Sequence, residues 1–385
     1  MPEKSAELTG AQPAAAAGTA AGADLYRVLA EDAADVIFSP ASVACALGLA
    51  LAGARGQTAA ELARALHLDP DPAAHRGALR GLSDALSGIT EGGSVTFRAP
   101  NTAWVQSGLT LRPEFTGQLG QAAATLAQGD FAGAPEAARA EINRVIAEQT
   151  GGKITGLLPS GAVTALTRLV LASAVYLKAA WTRPFSPDAT ADAPFYPGPD
   201  RPGVTVPMMR GRAPRAYRRG DGYQAVLLPY RDTSLSMAVV LPDGPLRALR
   251  EKIAAVGLGG LLAGTSRHQV TLSMPRFRLE AAVNLIPALQ RLGVREAFGG
   301  DADFGGITGD ASLRIGAVAH KAYIDVDEHG TEAAAATAAV ATAMAAVRPP
   351  PPVTMTVDRP FLYAIIDTGS GLPVFLGQLS HPRAG

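Results

Sequence analysis

The sequence predicts an α+β fold in a single domain, and three observations carry the prediction. Strand-like runs crowd the second half of the chain at mixed spacing, with helical patterns scattered among them rather than alternating regularly. No fixed-period repeat and no convincing linker divides the 385 residues, and the one proline cluster, 349–352, lies close to the end. Hydrophobic residues make up 48% of the chain, enough for a large core and too many for global disorder.

Taken in order, residues 1–20 read as a flexible lead-in rich in Ala, Gly and Pro. A helix is expected over 23–31 and a short buried strand over 36–38. Ser39-Pro40 then opens a long apolar helix over 41–54, with the proline where its missing N–H costs nothing. Thr58 followed by Glu61 reads as a capping box for a helix running to Leu66. Residues 95–105 alternate like one strand. Residues 136–150 have helical periodicity and stop at Gly151-Gly152. Beyond them, 169–176, 225–229, 235–241, 269–274, 313–327, 361–366 and 374–379 read as strands. Helices are expected at 246–256 and 285–292.

Composition excludes several function classes. Lys plus Arg and Asp plus Glu both total 34, so the net charge is zero and a general nucleic-acid or anionic-membrane partner is not expected. The single cysteine, Cys45, rules out an internal disulfide framework and a cysteine zinc cage, and reads as an apolar filler of the core helix. No apolar run approaches the roughly 20 residues that span a bilayer. The amino-terminal stretch lacks a basic start followed by an apolar segment, and no Asn-x-Ser/Thr acceptor occurs. A cytoplasmic location is therefore expected, or an extracellular one if a leader has been removed.

Catalytic patterns fail one by one. Asp367-Thr368-Gly369-Ser370 matches an aspartic-protease signature, but that chemistry needs two carboxylates sharing a proton and no second copy exists. The stretch is read as a turn with Gly369 and Gly371 at positive φ. No G-x-S-x-G elbow is present. Gly151-Gly152-Lys153 lacks the upstream glycine of a phosphate loop, where Ala147 stands instead. The six histidines show no metal-ligand spacing, so no metal and no cofactor are expected. Five arginines crowd residues 210–219 (Arg210, Arg212, Arg215, Arg218 and Arg219) and, given the zero net charge, read as a solvated face rather than a nucleic-acid site.

The stretch Asp325-Val326-Asp327-Glu328-His329-Gly330-Thr331-Glu332-Ala333-Ala334-Ala335-Ala336-Thr337 resembles the hinge of a serpin reactive-centre loop. Other pieces agree and come in the family's order. Phe38-Ser39-Pro40-Ala41-Ser42-Val43 resembles the start of the serpin core helix, and Thr150-Gly151-Gly152-Lys153-Ile154 the end of the helix that crosses the main sheet. Lys178-Ala179-Ala180-Trp181-Thr182-Arg183-Pro184-Phe185 resembles the strand that enters the breach. Asp358-Arg359-Pro360-Phe361-Leu362-Tyr363 and Val374-Phe375-Leu376-Gly377 resemble the carboxy-terminal signature. Together the pieces cover roughly residues 25–382.

The resemblance implies a serpin-like fold of mixed β-sheets with about nine helices and an exposed reactive-centre loop at about 328–357, within a domain spanning 21–385. It implies a monomeric suicide substrate. A target serine protease attacks the loop, forms a covalent acyl complex, and is trapped when the cut loop enters the main sheet. Entry requires every other side chain to face inward. The inward set would be Thr331, Ala333, Ala335, Thr337, Ala339 and Ala341, all small and uncharged, while Glu332 would stay wet on the outer side. Ala-rich residues 333–346 also favour a helix by propensity alone, yet they carry no amphipathic stripe to dock one.

Counting from Gly330 by the family's spacing places the scissile bond at Met344–Ala345, which suits chymotrypsin-, elastase- or subtilisin-like targets. The stretch from Met344 to Pro360 is longer than the family pattern, so a bond after Val347 or Arg348 remains an alternative. Ser39, Ser42 and His320 match the shutter cluster, Ser173 stands where the family usually has Asn, and Trp181 matches the breach tryptophan. A non-inhibitory serpin acting as a carrier or chaperone is the competing function.

Overall fold

The computed structural model describes residues 13–69, 72–89, 95–119, 125–198, 201–309, 313–332 and 352–382. Among them are eight α-helices: α1 (Pro13–Asp32), α2 (Pro40–Gly53), α3 (Gly56–Ala65), α4 (Pro72–Gly88), α5 (Pro113–Leu119), α6 (Pro135–Gln149), α7 (Leu246–Leu262) and α8 (Ile286–Arg291). The first strands are β1 (Val36–Phe38), β2 (Val95–Arg98), β3 (Asn101–Gln106), β4 (Thr125–Gly129), β5 (Leu169–Ala180) and β6 (Ala191–Phe195). Next come β7 (Val204–Gly220), β8 (Tyr223–Pro229), β9 (Leu235–Pro242), β10 (Ser266–Pro275) and β11 (Phe277–Asn284). Last are β12 (Ile315–Val326), β13 (Gly330–Thr331), β14 (Val353–Thr356), β15 (Phe361–Asp367) and β16 (Pro373–Leu379).

Two mixed sheets result. One runs β1-β16-β15-β9-β8-β7-β10-β14 with β6 on β7, and the other runs β11-β12-β13-β5-β3-β4 with β2 on β5. The second is the main sheet. Its strand β5 alternates between two hydrophobic clusters, as a period of two requires. Leu169, Leu171, Val175 and Leu177 join the large core that also contains α2. Val170, Ala172, Ala174 and Tyr176 join the smaller core with Ile142 and Ile146 of α6 on the opposite face. A strand buried on both faces explains the unbroken apolar run at 169–177.

Helix α2 is the hub of the large core. Ser39 is its N-cap and accepts a hydrogen bond from the Ser42 amide, Pro40 takes the first turn, and all its residues except Ala52 are buried. An all-round apolar helix has no place but an interior. Cys45 lies there, and burial raises its thiol pKa to about 12.

Several expectations need correction. The first helix begins at Pro13, so residues 13–20 are helical rather than part of a loose lead-in, and Ala15 is buried. Residues 95–105 form two strands on β5, separated at Ala99-Pro100. Thr58 and Glu61 do not cap α3, whose N-cap is Arg55. Thr58 Oγ1 accepts from the Asp303 amide (2.9 Å), and Glu61 accepts from the amides of Arg295 (2.7 Å) and Glu296 (2.9 Å). A tertiary partner has taken the groups a local cap would use. The Asp367 stretch is a turn between β15 and β16, but only Gly371 adopts positive φ there. The arginine-rich stretch lies in the long strand β7, and Arg215 is buried. No helix among the described residues is long and apolar enough to cross a membrane.

Truncating the hub is expected to be costly. Leu49→Ala removes a side chain that is buried on α2 and should lower the unfolding free energy by about 2–5 kcal/mol, read from urea denaturation. A loss under about 1 kcal/mol would show that α2 is not tightly packed.

Candidate functional site

The main sheet is forked. At its lower end β12 and β5 pair directly and in parallel, from Ile315 opposite Leu169 to Tyr323 opposite Tyr176. Above that point they diverge, and β13 lies between them. Thr331 pairs antiparallel with Val326 on one side and Ala179 on the other, and Gly330 pairs with Ala180. The chain reaches this wedge through a tight turn. Asp327 Oδ1 accepts from the amides of His329 (2.7 Å) and Gly330 (3.0 Å), and the Asp327 amide donates to the Gly330 carbonyl (3.0 Å). A Cβ on Gly330 would run into the Ala179 carbonyl and the Ala180 Cα, so only glycine fits.

Side chains lock the wedge from both faces. Thr331 points inward and is fully buried, with its hydroxyl 2.6 Å from the Tyr230 hydroxyl. Tyr230 stacks on Trp181 at 4.5 Å between ring centroids. The Trp181 indole N–H donates to the Asp327 carbonyl (3.0 Å), and its amide donates to the His329 carbonyl (2.8 Å). Trp181 thus joins β5 to the turn that delivers the wedge, and sits where the matched motif places it. Glu332 points to the opposite face, as expected, but does not stay wet: it is half-buried and paired with Lys153 just past the end of α6. One of its carboxylate oxygens is buried without a hydrogen bond. Glu332 has φ +48°, the left-handed region, which costs a non-glycine residue about 1–2 kcal/mol.

Below the turn, Glu328 anchors the segment. It is buried and accepts from Arg276 Nη2 (2.7 Å) and from Thr190. Burial alone would raise its pKa, but the hydrogen bonds from Arg276 and Thr190 outweigh that and hold it below the usual carboxylate range. Ala333, Ala334, Ala335, Ala336, Met344 and Ala345 lie outside the described residues.

The lower, closed part of the fork is held by a buried polar cluster. His320 on β12 stands opposite Ser173 on β5, with Nδ1 3.1 Å from Ser173 Oγ. Its Nε2 accepts from the Ser39 amide (3.0 Å), and Ser39 Oγ contacts Ser42 Oγ (3.1 Å). Because Nε2 accepts, the ring is neutral with its proton on Nδ1, which donates to Ser173. The structure therefore brings Ser39, Ser42, Ser173 and His320 into one chain that ties α2 to both strands. Asn101 was not singled out from the sequence. It stands opposite Ser173 on β3, is buried, and its Oδ1 has no hydrogen-bond partner. Tyr230 and Arg276 were also missed, because their partners lie far away in sequence and no local pattern marks them; Lys153 stands in a quoted motif, but its pairing with Glu332 has no local signal. Among the described residues no cluster of three or more His, Cys, Asp or Glu side chains could hold a metal.

Burial lowers the His320 pKa from its ordinary value to about 3. Unfolding restores a value near 6.5, so the unfolded chain binds a proton that the folded one refuses. This contribution to stability is intact above about pH 6.5 and is lost as pH falls toward 3. Between pH 7 and pH 5 it should remove about 2 kcal/mol. His320→Asn should show a correspondingly smaller pH-dependent loss in urea titrations, and identical losses in the two proteins would contradict the assignment.

Comparison with known proteins comes to the same fold. A family model described as "Serpin (serine protease inhibitor)" matches residues 16–382. An uncharacterised serpin-like protein of Thermococcus kodakarensis is 37% identical over 94% of this chain and 84% of its own length. The leukocyte elastase inhibitor of Bos taurus is 36% identical over 95% of this chain and 99% of its own. The crystal structure of Serpin48 from the insect Tenebrio molitor superposes with a TM-score of 0.85 at 29% identity, covering 96% of this chain and 98% of that one. The chain belongs to the serpin family.

Proposed function

We propose that this serpin inhibits a serine protease as a suicide substrate, with residues of about 328–357 as the bait within a single domain spanning 21–385. The observation that carries this reading is the wedge itself: Gly330 and Thr331 already form a strand between β5 and β12. The protease serine attacks the Met344 carbonyl. The ester forms, the amide to Ala345 breaks, and the new Ala345 amine leaves. Freed at that end, residues 333–344 continue the line of β13 down the fork.

The exchange is favourable in principle. One parallel ladder between β12 and β5 gives way to two antiparallel ladders, which are slightly more stable per residue, and additional backbone groups are paired. Small alanines on the inward side avoid both buried charge and overpacking. Insertion also extends Glu332 and relieves its left-handed backbone. The hydrogen bonds that join His320 to the Ser173 hydroxyl and to the Ser39 amide act as the latch that must part. As a monomer the chain needs no cofactor for any of these steps.

The relatives named leukocyte elastase inhibitor and the unbranched Met344 both favour an elastase- or chymotrypsin-like target, with subtilisin-like enzymes as further candidates. Incubation with chymotrypsin, elastase, subtilisin and trypsin should give a complex that survives boiling in detergent with one of the first three. Cleavage without trapping would favour a carrier or chaperone role. Amino-terminal sequencing of the released fragment should begin at Ala345.

The hinge provides a separate check. Thr331→Arg forces a charge into the fully buried position beside Tyr230, at a cost of several kcal/mol. It should convert the inhibitor into a substrate, with cleaved protein accumulating and the stable complex falling at least tenfold. Trapping at the parental level would refute the proposed register.

A further inference from the structure

A cavity of about 630 Å³ opens beside the fork. Trp181, Tyr230 and Leu227 give it apolar walls, and the three arginines Arg183, Arg215 and Arg267 are among its other lining residues. Asp232 is the one carboxylate among the lining residues.

Arg215 is the unusual member. It is 5% exposed. Its Nη1 makes long contacts to the carbonyls of Gly211 (3.3 Å) and Val270 (3.5 Å), and the guanidinium sits 5.1 Å from the Phe185 ring centre. It forms no ion pair with a described residue. Arg183, whose Nη1 donates to the Pro214 carbonyl (2.9 Å), adds a second positive charge nearby. Desolvation first, and repulsion from Arg183 second, push the Arg215 pKa down to about 10. A buried charge is ordinarily paired, because leaving it alone costs several kcal/mol. Arg215 is also one of the residues lining a cavity large enough for a small molecule, whose wall includes the aromatic residues Trp181 and Tyr230.

We propose that this cavity binds a small organic anion, with its carboxylate or phosphate head on Arg215 and its apolar body against Trp181 and Leu227. A guanidinium in a low-dielectric site makes strong charge-assisted hydrogen bonds to either head group. Tyr230 lines the cavity and also bonds Thr331, so an occupant bears on the wedge of the sheet. That coupling rests on the inhibitory reading; binding itself does not, and the test below uses no protease.

Sodium hexanoate, inorganic phosphate and neutral hexanol are titrated into the full chain at pH 7. Binding is read by calorimetry and by Trp181 fluorescence in a Trp104→Phe background, which leaves Trp181 as the sole tryptophan. Hexanoate is expected to bind saturably and to quench Trp181, with hexanol at least tenfold weaker. Saturable phosphate binding as well would make the head group sufficient, whereas hexanoate binding alone would make the apolar body necessary; both support the site. Arg215→Met should weaken binding at least tenfold. If that variant does not fold, Arg267→Ala, at an exposed position of the lining, should weaken it severalfold. Saturable binding of neither anion, equal binding of hexanoate and hexanol, or parental affinity in the tested variant would overturn the proposal.

Discussion

The parallel ladder between β5 and β12 is the constraint on which the rest of the structure depends. On the proposed mechanism it is the pairing that must break for a new strand to enter the main sheet. Apolar packing does not single out this pairing, since residues of both strands are buried in the cores on the two faces of the sheet. The selective restraint is polar. His320 reaches Ser173 across the ladder and the Ser39 amide beneath it, so parting the strands breaks directional hydrogen bonds in a dry interior. Serine at position 173 offers one hydroxyl to this network, while the Asn101 Oδ1 directly opposite has no partner. The latch is a single chain of hydrogen bonds, a form suited to opening in one event.

At the upper end of the same sheet β13 already separates β5 from β12. Gly330 is there because no Cβ fits, Thr331 because a small hydroxyl can be buried if Tyr230 satisfies it, and Glu332 because the chain leaves the sheet at that residue. Glu332 meets Lys153, and Glu328 meets Arg276, so the two acidic residues of the motif bracket the wedge with ion pairs of different kinds. Glu328 itself is buried and is hydrogen-bonded by both Arg276 and Thr190, which fixes the base of the loop. The Glu332 pair is half-exposed, and such pairs contribute little, about 0–1 kcal/mol.

Much of this was legible in the sequence because the constraints are local. Helix α2 announces itself through Ser39-Pro40 and an unbroken apolar run, and β5 and β12 through continuous burial. Of the hinge, the described part is Gly330 and Thr331, whose place between β5 and β12 agrees with the matched motif, while residues 333–336 lie outside the described residues. What could not be read was set by distant partners. Thr58 and Glu61 look like a cap until the 295–303 segment claims them. Arg215 looks like one of five solvated arginines until β10 pairs with β7 and closes over it. The helices at 72–88 and 113–119 were missed because the first is interrupted by glycines and polar residues and the second is only two turns long.

The most direct measurement is a structure of the chain after cleavage in the loop. Residues 333–344 are expected as a continuous extension of β13, antiparallel to both neighbours, with His320 and Ser173 no longer in contact. A cleaved chain in which Ile315–Tyr323 still pairs with Leu169–Tyr176, and the cut segment lies outside the sheet, would contradict the mechanism at its foundation.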